Sequence, residues 1–283
     1  MIAAENPPTR LRVAYLGPEG SFAHLVARKR FGDQELIPHS SVDDVFNYLE
    51  TAPDSLAVVP IENSSGGIIT ATVDRMIEEG TPFHIQEEIS LNVKLALLGR
   101  EGEKISKLYS HFAPFHHCTK WLKANYPDAE QVVTPSTTLA AIAASQETGS
   151  AALGSRESAE RYGLDVIHYP VQADVPNITE FFVVAHQANP DSPNNSRTSL
   201  AVELPDAAGS LFRFLEPLAR NEINLKRIES RPIKGKPHQY RFFIEIQGNS
   251  ATPLVAKTLE EAKSHCLSLR NFGSYPTDCK LES

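Results

Sequence analysis

Apolar positions in the first two thirds of the chain fall into short runs separated by polar, helix-like stretches. "RVAYLG", "LAVVPIE", "VKLALLG" and "SAALGS" are dense in Val, Leu and Ala, as strands buried on both faces are. Between them "SFAHLVARKRFG", "IITATVDRMIEEG" and "RESAERYG" space their apolar residues by three and four, the period of a helix with one buried side. The alternation predicts an α/β domain with largely parallel strands.

The pattern breaks at "HQANPDSPNNSRT", His186 to Thr198, which is rich in Pro and Asn and has no hydrophobic period. It reads as a linker. Beyond it come a strand "SLAVEL", a helix from Leu211 to about Asn221, strands around "NLKRIESRP" and "QYRFFIEI", a helix after Thr252 and a final "RNFGSY". This βαββαβ order spans roughly 85 residues, enough to fold but too few for a catalytic cleft of its own. Gly209 permits a sharp turn ahead of its first helix, whose apolar positions Leu211, Phe212, Leu215 and Leu218 repeat near 3.6. Pro217 inside that helix predicts a kink or a shortening.

Composition narrows the function. With 283 residues and 41% hydrophobic content the chain can supply two cores. A formal net charge of -8 argues against a nucleic-acid or anionic-membrane surface, which needs clustered Lys and Arg. Cys118, Cys266 and Cys279 are three in number and far apart, so no disulfide framework is expected. "MIAAENPPTRLRVAYLG" has no signal-like apolar run, and nowhere does an apolar segment approach the ~20 residues of a membrane span. A cytoplasmic protein that works on small molecules is the expectation.

Four stretches carry candidate chemistry. In "YLGPEGSFAH", Gly17 and Gly20 allow a tight turn and Ser21 can cap the next helix; such a helix start suits a carboxylate or phosphate, though the local pattern is equally that of a plain turn. In "VVPIENSSGG", Glu62, Asn63, Ser64 and Ser65 cluster beside two glycines at a strand's C-terminal end, where open α/β sheets bind ligands. Asn and Ser also favour ordinary turns. "SHFAPFHHC" places His111, His116, His117 and Cys118 close in sequence, but adjacent side chains rarely converge on one ion, so no metal is expected and His111 alone is a candidate donor. In "PNITEFFVVA", Asn177 and Thr179 share one strand face and Ile178 and Glu180 the other, ahead of the apolar run from Phe181.

Taken in order, "YLGPEGSFAH", "VVPIENSSGG", "SAALGSRESAERYGLDVI" and "NITEFF", followed by a module carrying "GSLF" and "ESRP", resemble prephenate dehydratases with a C-terminal ACT regulatory domain. The likeness runs from Arg12 to Tyr275. It implies a two-lobed α/β catalytic domain like a type II periplasmic-binding protein, residues 11–186, with one lobe of about 11–88 plus 172–186 and the other of 89–171. An α+β ACT domain over 198–283 follows. It also implies conversion of prephenate to phenylpyruvate on the way to phenylalanine, without metal or organic cofactor. Phenylalanine would act as effector on ACT modules paired in a homodimer or homotetramer.

By the same resemblance Thr179 is the essential threonine of a Thr-Arg-Phe motif and Phe181 its phenylalanine, while Ser21, Glu62, Asn63, Ser64, His111 and Asn177 meet the substrate. Gly209 and Ser210 meet the effector's polar end with Leu211 beside them in the effector site, and Glu229, Ser230, Arg231 and Pro232 line the subunit contact and effector site. Two motifs depart from the family's pattern. Glu180 replaces the motif's arginine, and "SHFA" keeps Ser110 and His111 but has Phe112 and Ala113 where the family has Pro and Gln.

Prephenate carries two carboxylates and a ring hydroxyl, so anion anchors and a proton donor to the departing oxygen are required. An ionised Glu180 about 5 Å from a substrate carboxylate would cost about 3 kcal/mol at an effective dielectric near 20. Three arrangements avoid this: Glu180 points away, pairs with a cation from the other lobe, or is protonated by burial as a catalytic donor. Arogenate dehydration, decarboxylation of prephenate without dehydration, and ligand sensing without turnover are the competing readings.

Overall fold

The computed structural model describes residues 10–233, 235–236 and 239–283. The leader expectation rests partly on residues 1–9, which lie outside the described residues. The chain runs β1 (Arg12–Leu16), α1 (Phe22–Phe31), β2 (Glu35–His39), α2 (Val42–Thr51), β3 (Leu56–Asn63), the short β4 (Gly67–Ile68), α3 (Thr70–Ile77) and β5 (His84–Asn92). A second lobe holds β6 (Ala96–Gly99), β7 (Lys107–Ser110), α4 (Phe112–His117), α5 (Thr119–Asn125), β8 (Glu130–Val133), α6 (Thr137–Gln146), β9 (Ser150–Gly154), α7 (Ser158–Tyr162) and β10 (Asp165–His168). β11 (Ile178–Ala185) returns to the first lobe. The C-terminal part contains β12 (Arg197–Glu203), α8 (Ser210–Arg220), β13 (Leu225–Pro232), β14 (Tyr240–Gln247), α9 (Pro253–Lys263), β15 (Ser268–Tyr275) and β16 (Cys279–Glu282).

The first sheet has the order β16-β5-β11-β3-β1-β2, the second β10-β6-β9-β7-β8, and the third β13-β14-β12-β15. The expectation of largely parallel strands needs correction. β1 is parallel to β2 and β3, but β11 is antiparallel to both β3 and β5, and β6 is antiparallel to β9 and β10. A chain that leaves one lobe along β5 and re-enters along its neighbour must run the opposite way. "VKLALLG" is likewise not one strand, because residues 93–95 make the outward crossing before β6 begins.

Side-chain alternation on β11 divides the molecule. Phe181 and Val183 face a core shared with α1 and the second lobe, including Leu97, Leu108 and Leu153. Phe182 and Val184 face Phe46, Leu49 and Met76 together with Phe243, Phe272 and Tyr275 of the third sheet. That sheet therefore lies against the first lobe with one face and packs α8 and α9 on the other, around Ile244, Ile246, Phe214 and Leu259. α8 runs through Pro217 to Arg220 without shortening.

The Pro- and Asn-rich connection has no regular element before β12, yet it is tied down. His186 Nε2 lies 2.8 Å from the Leu49 carbonyl, and Asn189 donates to the Ser274 carbonyl at 3.1 Å. β16 was not foreseen. It leaves the third sheet and joins the first, parallel to β5, with Cys279 opposite Ile89 and Leu281 opposite Leu91. Among the described residues no helix is long and apolar enough to cross a membrane.

Candidate active site

β3 and β11 set Asn63 directly opposite Thr179 and Glu62 opposite Glu180. The Asn63 Oδ1 accepts from the backbone amides of Ser65 and Gly66, each at 3.0 Å. Those two donors fix which end of the carboxamide is oxygen, so Nδ2 is the atom that reaches β11. It donates to Thr179 Oγ1 at 2.9 Å and to Asn177 Oδ1 at 3.0 Å. Thr179 Oγ1 therefore accepts from Asn63, and its own proton is left to donate elsewhere.

Elsewhere is a cleft of about 240 Å³ lined by Asn63, Asn177 and Thr179 from the first lobe and by His111, Ser136 and Thr137 from the second, with Phe22 and Val93 as apolar walls. His111 caps α4, its Nδ1 accepting from the Ala113 amide at 3.5 Å. Burial pushes its imidazole below the usual histidine value, so at neutral pH it is uncharged with a proton on Nε2, a donor rather than a cation. Ser136 caps α6 by accepting from the Leu139 amide at 3.1 Å. The starts of α1 and α6 thus meet the cleft from opposite lobes, and each presents a positive dipole end. Larger cavities of about 580, 410 and 430 Å³ lie at the outer end of the second lobe, along the crossing segments and beside α8. In the small cleft polar groups from both lobes converge, which makes it the candidate site.

Several expected site residues are engaged otherwise. Ser21 does cap α1, accepting from the His24 amide at 3.2 Å and donating to the Leu16 carbonyl at 2.9 Å, so its hydroxyl is occupied. Ser64 Oγ donates to the Pro176 carbonyl and accepts from the Ile178 amide, both at 3.0 Å, stapling β11 to the loop. It starts no helix, since β4 intervenes before α3. Phe181 is buried in the core on Thr179's side of the strand. Of the histidine run, His117 and Cys118 are buried and His116 is exposed.

Glu180 and Glu62 point to the opposite face of the sheet. Arg227 of β13, its side chain 5% exposed, bonds Glu62 Oε2 through Nε at 2.8 Å and also binds Glu180 and Glu245. Arg197 bonds Glu88 at 2.6 Å beside them. Burial, then the charges of Glu245 and Glu180, push the Glu88 carboxyl up to about 8, so the cluster retains a proton at neutral pH. Of the three arrangements considered for Glu180, it both faces away from the cleft and pairs with a cation. That cation comes from the C-terminal sheet rather than from the other lobe.

The family profile described as "Prephenate dehydratase" matches residues 13–189, and the profile "ACT domain" matches residues 198–263. The chain belongs to the prephenate dehydratase family. A bifunctional chorismate mutase/prephenate dehydratase of Stutzerimonas stutzeri is 35% identical over 279 residues, covering 97% of this chain and 75% of the relative. A prephenate dehydratase of Arthrobacter aurescens, solved in complex with L-Phe, superposes with a TM-score of 0.85 at 28% identity over 94% of this chain and 90% of that one. The Staphylococcus aureus prephenate dehydratase superposes at 0.80, with 28% identity over 94% and 100% of the two chains.

In this prephenate dehydratase the predicted effector residues divide between two faces. Gly209, at φ 80°, opens α8, and Ser210 Oγ accepts from Arg213 at 3.1 Å. Leu211 packs against the core beneath α8. Ser230 pairs with Phe242 in register, and Ser230 and Pro232 lie on the α8 side of edge strand β13. Glu229 and Arg231 lie on the catalytic side. Arg231 grips Asp74 of α3 with two bonds of 2.6 and 2.8 Å. Ser136 and Thr137 are polar cleft residues to which the sequence motifs assign no role. Their signal was present in "PSTTLAAIAAS", a capping Ser ahead of an apolar helix.

Proposed function

We propose that the chain removes water and carbon dioxide from prephenate to give phenylpyruvate at the cleft around Thr179. The carrying observation is the hydrogen bond from Asn63 Nδ2 to Thr179 Oγ1, which leaves the threonine proton to donate. The helix starts at Phe22 and Thr137 meet the two substrate carboxylates, and neutral His111 donates to a third oxygen. The C–O bond to the ring hydroxyl breaks with its electron pair on the departing oxygen, which takes up a proton. The ring carboxylate's C–C bond breaks as carbon dioxide leaves, and its electrons make the ring aromatic. Threonine is a weak acid, so Thr179 contributes a positioned hydrogen bond to the developing hydroxide rather than bulk acidity.

The ACT domain binds phenylalanine as the feedback effector, with Gly209 and Ser210 at its polar end and Ser230 and Pro232 on the α8 side of β13, in a homodimer or homotetramer. The L-Phe complex of the Arthrobacter aurescens relative supports this. The site requires no metal or organic cofactor for this chemistry. The test is turnover of prephenate by the purified chain, followed as phenylpyruvate, with and without phenylalanine and beside Thr179→Val. Wild-type protein that binds prephenate without product would sink the proposal.

A further inference from the structure

Glu62 precedes Asn63 on β3, and Glu180 follows Thr179 on β11. The two carboxylates face each other one register step from the Asn63–Thr179 pair. The β3–β11 register shifts immediately after that step, between Glu180 and Phe181. At such a bulge the ladder alone does not fix how the two strands sit, and the local aim of a side chain depends on what supports it. Ser64 staples β11 on the side of Ile178, and on the opposite face, where the two carboxylates project, the support is one guanidinium. Arg227 Nε bonds Glu62 at 2.8 Å, Nη2 bonds Glu180, and Nη1 is anchored on Glu245 of the neighbouring strand β14. Its carbon stands 5.8 Å from the centre of the Phe182 ring. A planar fork held on three carboxylates has little freedom to let either catalytic strand slide.

We propose that Arg227 is a positioning residue for Thr179, gripping Glu62 and Glu180 together from the C-terminal domain so that Asn63 holds the threonine hydroxyl in line with the leaving oxygen. A displacement of β13 is thereby a displacement of the strand step beside Thr179. The inference rests on Thr179 being the reactive hydroxyl.

A residue that merely balances the charge of Glu245 and Glu88 affects stability and leaves the kinetics of folded enzyme unchanged. A positioning residue lowers kcat while KM stays in place, because prephenate is held by the cleft and not by Arg227. The experiment measures kcat and KM for prephenate on the full chain bearing Arg227→Gln, Arg227→Lys or Thr179→Val, with folding followed by circular dichroism. Arg227→Gln is expected to lose about tenfold to a hundredfold in kcat with KM within about threefold. Arg227→Lys, which keeps the charge but not the fork, should fall between it and wild type. A folded Arg227→Gln with wild-type kcat overturns the proposal, as does a loss confined to KM. If Arg227→Gln does not fold, Arg227→Lys decides by the same split, wild-type kcat counting against. Thr179→Val turning over at the wild-type rate would instead overturn the assignment of the reactive hydroxyl.

Discussion

The Asn63 carboxamide nitrogen lies 2.9 Å from the Thr179 hydroxyl across an antiparallel pair of strands. Thr179→Val keeps the side chain's shape and removes the donor, so turnover should fall by about a hundredfold or more while the fold is retained. Thr179→Ser should keep much of it. Asn63→Ala should also lower kcat, since Thr179 would be free to turn its proton away from the cleft. Steady-state phenylpyruvate production by the three variants checks the order.

Glu180→Arg would restore the arginine that the family motif carries. In this chain it sets a second guanidinium against Arg227 and leaves that side of the buried cluster without its carboxylate. The cost should be about 2–3 kcal/mol, the lower end for a broken buried pair because Glu180 is partly exposed. Urea midpoints measure it. Activity should fall rather than rise, and a Glu180→Arg variant faster than wild type would mean that Glu180 hinders the reaction.

Some of this was legible beforehand and some was not. Period-2 alternation was enough to put Thr179 and Glu180 on opposite faces, because a strand's geometry is local. The partners were not legible. Asn63 and Thr179 are 116 positions apart, and Arg227 reaches Glu180 across 47; nothing in the composition of either segment encodes that meeting. β16 was missed because "CKLE" is short and half charged, and it becomes a strand only through β5 beside it. The Ser136 cap had a local signature and needed only the second lobe's geometry to matter.

Glu88 predicts a pH dependence with a definite sign. Burial, Glu245 and Glu180 push its carboxyl from 4.5 up to about 8. Between those values the native state holds a proton that the unfolded chain has lost, so this contribution is complete at low pH and disappears as pH rises through about 8. His24, His39, His84, His111 and His117, all lowered chiefly by burial, work in the opposite sense, because their contribution is complete above the ordinary histidine value and is lost as pH falls from there through the lowered one. Comparing wild type with Glu88→Gln isolates the glutamate. Relative to the variant, the wild-type urea midpoint should decline from about pH 5 to about pH 8.5, and a difference independent of pH would rule the protonated Glu88 out.

β16 lies beside both lobe crossings. Glu282 accepts from Asn92 at 3.0 and 3.1 Å and pairs with Lys94 at 2.8 Å. Ser283 accepts from the Lys94 amide at 2.6 Å and, through its backbone oxygen, from the Tyr169 hydroxyl at 2.6 Å. Lys94 lies on the outward crossing, and Tyr169 begins the segment that returns to β11, so β16 braces both passages between lobes. Leu281 is only partly buried against the core around Ile89 and Leu91, and Leu281→Ala should cost about 1–2 kcal/mol. Removing residues 277–283 also removes the brace. Lobes that close less surely should raise KM for prephenate several-fold, while kcat should stay within about threefold if the Asn63–Thr179 pair, which the truncation leaves untouched, carries the chemistry as proposed. A truncated enzyme whose kcat falls and whose KM does not would mean that β16 shapes the strand step itself rather than the approach of the lobes.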